Sequence, residues 1–80
     1  MPPPTMEEVC ALVAVQLGRR RVAATDRLVE DLGAESVDLV NVVAAAEERW
    51  GVAIDEADLP DIRTPADLHR RIAGRLADPH

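Results

Sequence analysis

One segment near the middle of the 80-residue sequence combines residue types able to do chemistry: Leu32-Gly33-Ala34-Glu35-Ser36-Val37-Asp38. Ser36 offers a hydroxyl, Glu35 and Asp38 flank it with carboxylates, and Val37 sets an apolar side chain beside it. Serine at a loop-to-helix junction has an ordinary structural use, because its hydroxyl can cap backbone N–H groups. The glycine two residues before the acid, the flanking carboxylates and the dense negative charge favour a chemical use. Other constellations are poorer. Ser36, His69 and an acid can be assembled on paper into a hydrolytic triad, but no segment resembles a nucleophile elbow or an oxyanion loop, so catalytic residues are not expected. His69 and His80 stand far apart with no second ligand cluster, which argues against a metal site. Cys10 is the single cysteine. It excludes an intramolecular disulfide and a cysteine-rich metal site, and its place on an apolar helical stripe marks a core thiol.

The elements that must position Ser36 follow from capping and periodicity. Pro2-Pro3-Pro4 cannot be helical and reads, with Met1, as a disordered lead of residues 1–4. Thr5 and Glu8 form a capping box, and Met6, Val9, Cys10, Val13 and Leu17 recur at helical spacing up to Gly18, so a first helix is expected over Met6–Leu17. Residues 18–35 form a long connection of the kind that is often functional, with Leu28 and Leu32 expected to pin it to the core. Ser36–Trp50 contains no Gly or Pro. A rotation of ~100° per residue aligns Leu39, Val43, Ala46 and Trp50 as a core face flanked by Val40 and Val42. Asp38, Asn41 and Glu48 lie on the other side with Val37 and Ala44, an acidic face dotted with apolar residues that suits transient docking. Glu47 falls at the margin of the core face. A short helical turn is expected from Asp55, kept short by Pro60 and anchored by Ile62. A last helix starts at Thr64 and Pro65 and runs through Leu68, Ile72 and Leu76. The expected fold is all-α, a small bundle of three long helices and one short one. Residues 5–77 form its domain and 78–80 a C-terminal tail.

Composition narrows the partners. Phe and Tyr are absent and Trp50 is the one aromatic residue, leaving aliphatic side chains to build a core that suits helix-on-helix packing. The formal net charge is −6. From Asp26 to Asp61 eleven acids face only Arg27 and Arg49, a local balance of −9 that leaves +3 for the two ends. An acidic middle repels phosphate backbones and anionic lipid and attracts basic protein patches, so neither nucleic acid nor membrane is an expected partner. Arg19-Arg20-Arg21, with no aromatic residue nearby, reads as a solvated run. No stretch resembles a membrane span or a signal peptide, which leads to the expectation of a cytoplasmic protein, and a monomer is expected.

The Ser36 segment, followed by Val40, Val43, Glu47-Glu48-Arg49-Trp50-Gly51 and Ile54, closely resembles the signature of the acyl carrier protein family, usually Leu-Gly-Ala-Asp-Ser-Leu-Asp. The likeness continues through Ile62, Thr64 and Leu68. It implies that Ser36 receives 4'-phosphopantetheine from coenzyme A, joined by a Mg²⁺-dependent phosphopantetheinyl transferase. It also implies that the arm holds acyl groups as thioesters for polyketide or fatty acid biosynthesis. The implied partners are that transferase and acyltransferase, ketosynthase or ligase enzymes with basic docking patches. Glu35, Val37, Asp38, Asn41, Ala44, Glu47 and Glu48 are the expected docking residues, and the chain itself catalyses nothing.

Two departures bear on the pathway. Glu35 stands where the family has Asp, and Asn41 and Ala44 replace a usual Glu and a larger apolar residue, which favours a dedicated, specialised pathway. An aminoacyl or peptidyl carrier of the nonribosomal type is the alternative. Such carriers have Gly before His or Asp at the serine motif and a less acidic second helix, so Ala34-Glu35 and the acid count argue against it. A purely structural adaptor is disfavoured by the serine itself. Ala44, Ala45 and Ala46 make the second helix slim at its middle. Ala46 is expected to face the core beside Val42, Val43 and Trp50, where small side chains leave or open a cavity for cargo unless Trp50 fills it.

Overall fold

The computed structural model describes residues 2–77. Its elements are α1 (Met6–Leu17), α2 (Ser36–Trp50), a 3₁₀ helix (Glu56–Asp61) and α3 (Pro65–Ala77), with no strand among the described residues. Each start is dictated locally. The Glu8 carboxylate accepts from the Thr5 N–H at 2.9 Å while the Thr5 hydroxyl accepts from the Glu8 N–H at 3.1 Å. Thr64 and Asp67 repeat that reciprocal pair at the head of α3, both at 3.2 Å, with Pro65 buried in the first turn. Asp55 starts the 3₁₀ helix by accepting from the Ala57 N–H at 3.0 Å. Gly18 and Gly51 close α1 and α2 with φ of 66° and 65°, the left-handed conformation that glycine adopts without strain.

α1 packs against both α2 and α3, whereas α2 and α3 meet over a smaller surface. Val9 and Val13 of α1, Val42 and Ala46 of α2, and Leu68 and Ile72 of α3 are fully or almost fully removed from water. Trp50 caps one end of this aliphatic core, and Arg49 stacks over its ring with 5.1 Å to the centroid. Arg49 also pairs with Glu8 at 3.4 Å, tying the end of α2 to the start of α1. The Thr5 backbone N–H, followed by the Thr5 hydroxyl and the Arg49 charge, holds the Glu8 carboxyl below the usual glutamate range. No described helix is long and apolar enough to cross a membrane.

Several side chains depart from their expected places. Val40 is 48% exposed and does not flank the core, because the face of α2 on which it lies looks past α1 towards the 3₁₀ helix. Ala46, by contrast, is wholly buried in the core as expected. Leu12, Ala14 and Val22 join the core unannounced: α1 is apolar on most sides, so periodicity points weakly, and Val22 follows three arginines in a loop with no period at all. Cys10 is half-buried, and burial, then the Asp26 carboxylate, pushes its thiol above the ordinary cysteine range. The 3₁₀ helix runs past Pro60 to Asp61; proline omits one donor, and a helix this short has few bonds to lose. At the N-terminus Pro4 is buried and its carbonyl accepts from His69 Nε2 at 2.9 Å, so the last residue of the expected disordered lead is packed. Met1 and the expected tail 78–80 lie outside the described residues.

Candidate functional site

The connection from residue 18 to 35 is irregular but fastened along its length. Asp26 accepts from the Ala23 N–H at 2.8 Å, and the Arg19 guanidinium donates to the Leu32 carbonyl at 2.8 Å. The Arg27 backbone N–H, 2.9 Å from Asp31, and then the Arg27 side chain hold the Asp31 carboxyl below the ordinary aspartate range. Two bonds join the loop to the entry of α3: the Leu28 N–H donates to the Arg63 carbonyl at 2.9 Å, and the Ala66 N–H donates to the Ala24 carbonyl at 3.1 Å. Leu28 is the keystone. Its side chain is only 1% exposed, and its own carbonyl accepts from the Ala34 N–H at 2.9 Å. Gly33 makes the turn before Ala34 with φ of 68°, where a side chain would be strained.

This frame delivers Ser36 to the first position of α2. The residue before it, Glu35, is the N-cap, and the helix start is closed by Asp38, whose carboxylate accepts from the Glu35 N–H at 2.8 Å. Ser36 is therefore not the cap, and it is exposed. The first-turn N–H groups of α2 and the positive end of its dipole lie beside the serine and favour an anionic substituent on its oxygen.

The other expected site residues divide between surface and scaffold. Val37, Asn41, Ala44 and Glu48 share an exposed face at spacings of four, three and four residues, and Glu35 is exposed at its head. Val37 is 60% exposed. Asp38 is half-buried by its capping role. Glu47 turns inward, its carboxylate accepting from the Ile54 N–H at 2.8 Å and so bracing α2 against the segment that follows. Sequence reasoning placed Val40 in the core; its spacing of three from Val37 and four from Ala44 was the signal for this outer face. Between α2 and the 3₁₀ helix lies a groove of about 170 Å³ walled by Val40, Val43, Ala44, Ile54 and Leu59, with the Glu47 and Glu56 carboxylates at its edge.

The helical bundle thus offers an exposed serine at the head of its second helix, beside a face on which Glu35 and Glu48 are the exposed acids. The model of the family described as the phosphopantetheine attachment site matches residues 7–72. An acyl carrier protein from Thermotoga maritima is 37% identical over 71 residues, covering 86% of this chain and 88% of that one. A solved structure from Mycobacterium tuberculosis, described as a candidate acyl carrier protein, superposes with a TM-score of 0.80 at 28% identity, over 86% of this chain and 95% of that one. The chain belongs to the acyl carrier protein family, and covalently attached 4'-phosphopantetheine is its cofactor.

Proposed function

We propose that Ser36 is the attachment point of the arm and that the protein carries acyl intermediates for polyketide or fatty acid biosynthesis, catalysing nothing itself. The observation that supports this best is the exposed Ser36 hydroxyl on a helix start that Asp38, not the serine, holds together. Modification there costs the fold no hydrogen-bonded cap. The group supplies a terminal thiol that holds the acyl chain as a thioester. The chain's own residues supply the rest: Leu28 and Gly33 set the place of Ser36, the head of α2 favours the anionic linkage, and the acidic face steers basic enzymes. Residues 5–77 form the carrier domain, working as a cytoplasmic monomer. Incubation with coenzyme A, Mg²⁺ and a broad-specificity transferase is expected to add the mass of one phosphopantetheine, with fragmentation assigning it to Ser36. An unchanged mass would overturn the reading.

The docking surface centres on Val37, Asn41, Ala44 and Glu48, with Val40 beside them. Glu48→Arg and Val37→Asp are each expected to slow transfer by a partner enzyme several-fold while leaving the melting curve nearly unchanged. Raising salt should slow association of the unaltered protein, since charges this exposed act mainly through encounter. Unaltered partner kinetics in both variants would rule out this face.

The groove between α2 and the 3₁₀ helix suits the methylenes of an apolar cargo. Each buried methylene contributes about 0.8 kcal/mol, so three or four outweigh a modest parting of the walls. An octanoyl-loaded protein is expected to melt several degrees above the unloaded phosphopantetheine form. Ala44→Leu, which crowds the groove, should remove that gain. Equal melting temperatures for the two forms would show that the chain stays outside.

A further inference from the structure

The last helix carries a second groove of opposite character. Asp67, Arg70, Arg71, Gly74 and Arg75 recur along one face of α3, and Asp61 and Arg63 close the near end of a cleft of about 450 Å³. Four guanidinium groups line it. Asp58 steadies two of them, with Arg71 at 3.8 Å and Arg75 at 3.7 Å, and Asp67 lies 3.4 Å from Arg70. The Arg63 guanidinium pairs with no carboxylate among the described residues. Arg70 keeps 77% of its side chain in water although paired. Asp67 is further occupied by the N–H groups of Arg63 and Thr64, at 3.0 and 3.2 Å. Four cations against three carboxylates, in a chain of net charge −6, make this a local reversal of sign. Gly74 sharpens the point. Glycine inside a helix costs stability, yet a Cβ at Gly74 would meet nothing within 4 Å, so internal packing does not require it. Its effect is to leave the cleft floor bare between Arg70, Arg71 and Arg75.

The cleft is joined to the Ser36 loop. Its Arg63 end accepts the Leu28 N–H, and Leu28 accepts the Ala34 N–H two residues before Ser36. Ordinary bond lengths give an extended phosphopantetheine arm a span of roughly 15–20 Å, comparable with the two shorter dimensions of the protein, 25 and 19 Å. The apolar groove has Glu47 and Glu56 at its edge and repels a carboxylate. The α3 cleft attracts one, and guanidinium forks match carboxylate geometry.

Resting on the assignment of the arm to Ser36, we propose that the α3 cleft is a berth for carboxylate-terminated acyl groups, with Arg63 and Arg70 as its principal contacts. Uncharged and carboxylated cargo are thereby sorted to different sides of the same carrier. Succinyl and butyryl thioesters test this, since both have four carbons and differ by a carboxylate in place of a methyl. Complete loading of each on Ser36 is first verified by mass spectrometry, and backbone amide spectra of the two forms are then compared. The succinyl form is expected to shift the amides of Arg63, Arg70, Gly74 and Arg75 relative to the butyryl form. The difference should shrink at high salt and vanish in the Arg63→Gln, Arg70→Gln double variant, whose unchanged core amides report an intact fold. Superimposable spectra around the cleft for two fully loaded forms would overturn the berth and leave the carrier reading standing. Failure to load Ser36 at all would overturn both.

Discussion

Ser36→Ala is expected to abolish phosphopantetheine incorporation entirely while the protein keeps its fold and its melting temperature within about a degree. The first half follows from chemistry: no other residue of the 32–38 segment offers a hydroxyl. The second half follows from the helix start. A serine acting as N-cap would take about 1 kcal/mol with it on substitution by alanine. Here the cap position belongs to Glu35, and the Asp38 carboxylate bonds the Glu35 N–H. Alanine is also the better helix former, by a few tenths of a kcal/mol, so the net change in stability is close to zero. Intact mass after incubation with coenzyme A and transferase, read beside a thermal melt, checks both halves. Persistent modification would move the attachment point elsewhere, and a melt lowered by many degrees would show that the serine hydroxyl carries structure after all.

Leu28→Ala is expected to be among the most damaging single substitutions in the connection between α1 and α2, and to damage loading as well as stability. The Leu28 side chain is 1% exposed, and truncation of a buried leucine costs about 2–5 kcal/mol through lost burial and the cavity left behind. Small domains have only ~5–15 kcal/mol in total. The same residue joins the loop to Arg63 through its N–H and to Ala34 through its carbonyl. Loosening it frees the approach to Ser36. Urea denaturation should give a midpoint far below that of the parent protein, and the rate of modification should fall under conditions where the variant remains folded. Val29→Ala, one residue along and 51% exposed, is the control expected to leave both nearly unchanged. A Leu28→Ala protein as stable as its parent would mean that the loop is not held from within.

The boundaries of α1 and α2 were legible to the residue because their signals are local. Thr5 and Glu8 declare one start, and Gly18 and Gly51 declare two ends, whatever the rest of the chain does. The direction in which side chains point was less legible, since it depends on what packs opposite. Val40 looked like a core flank on a helical wheel and proved to be a groove wall, because the neighbour on that side is a short 3₁₀ helix. Glu47 sat at a margin where the wheel is silent, and only the position of the Ile54 N–H explains its inward turn. Within the candidate site, Ser36 was legible from its company of glycine and acids. The capping role of Asp38 was open to the same reading, as an acid three residues after the residue before the helix. The burial of Val22 had no comparable signal, since it arises where distant segments meet. The arginine face of α3 was open to reading from its spacing, whereas the closure of the cleft by Asp61 and Arg63 was not.

The bond between His69 Nε2 and the Pro4 carbonyl joins residues 65 positions apart. A carbonyl only accepts, so the proton resides on Nε2 and the ring is committed as donor. Contacts between such remote positions are expensive to form early, since closing so long a loop is entropically unfavourable before the intervening helices have condensed. Pro4 is therefore expected to join late, latching helices already packed, and to release without global unfolding. Hydrogen exchange is expected to register its release as local fraying at the beginning of α1, with the amides of α3 still protected. Fusing a bulky partner directly at Pro4 would disturb α3 as much as α1, whereas a junction placed ahead of Pro2 would spare both.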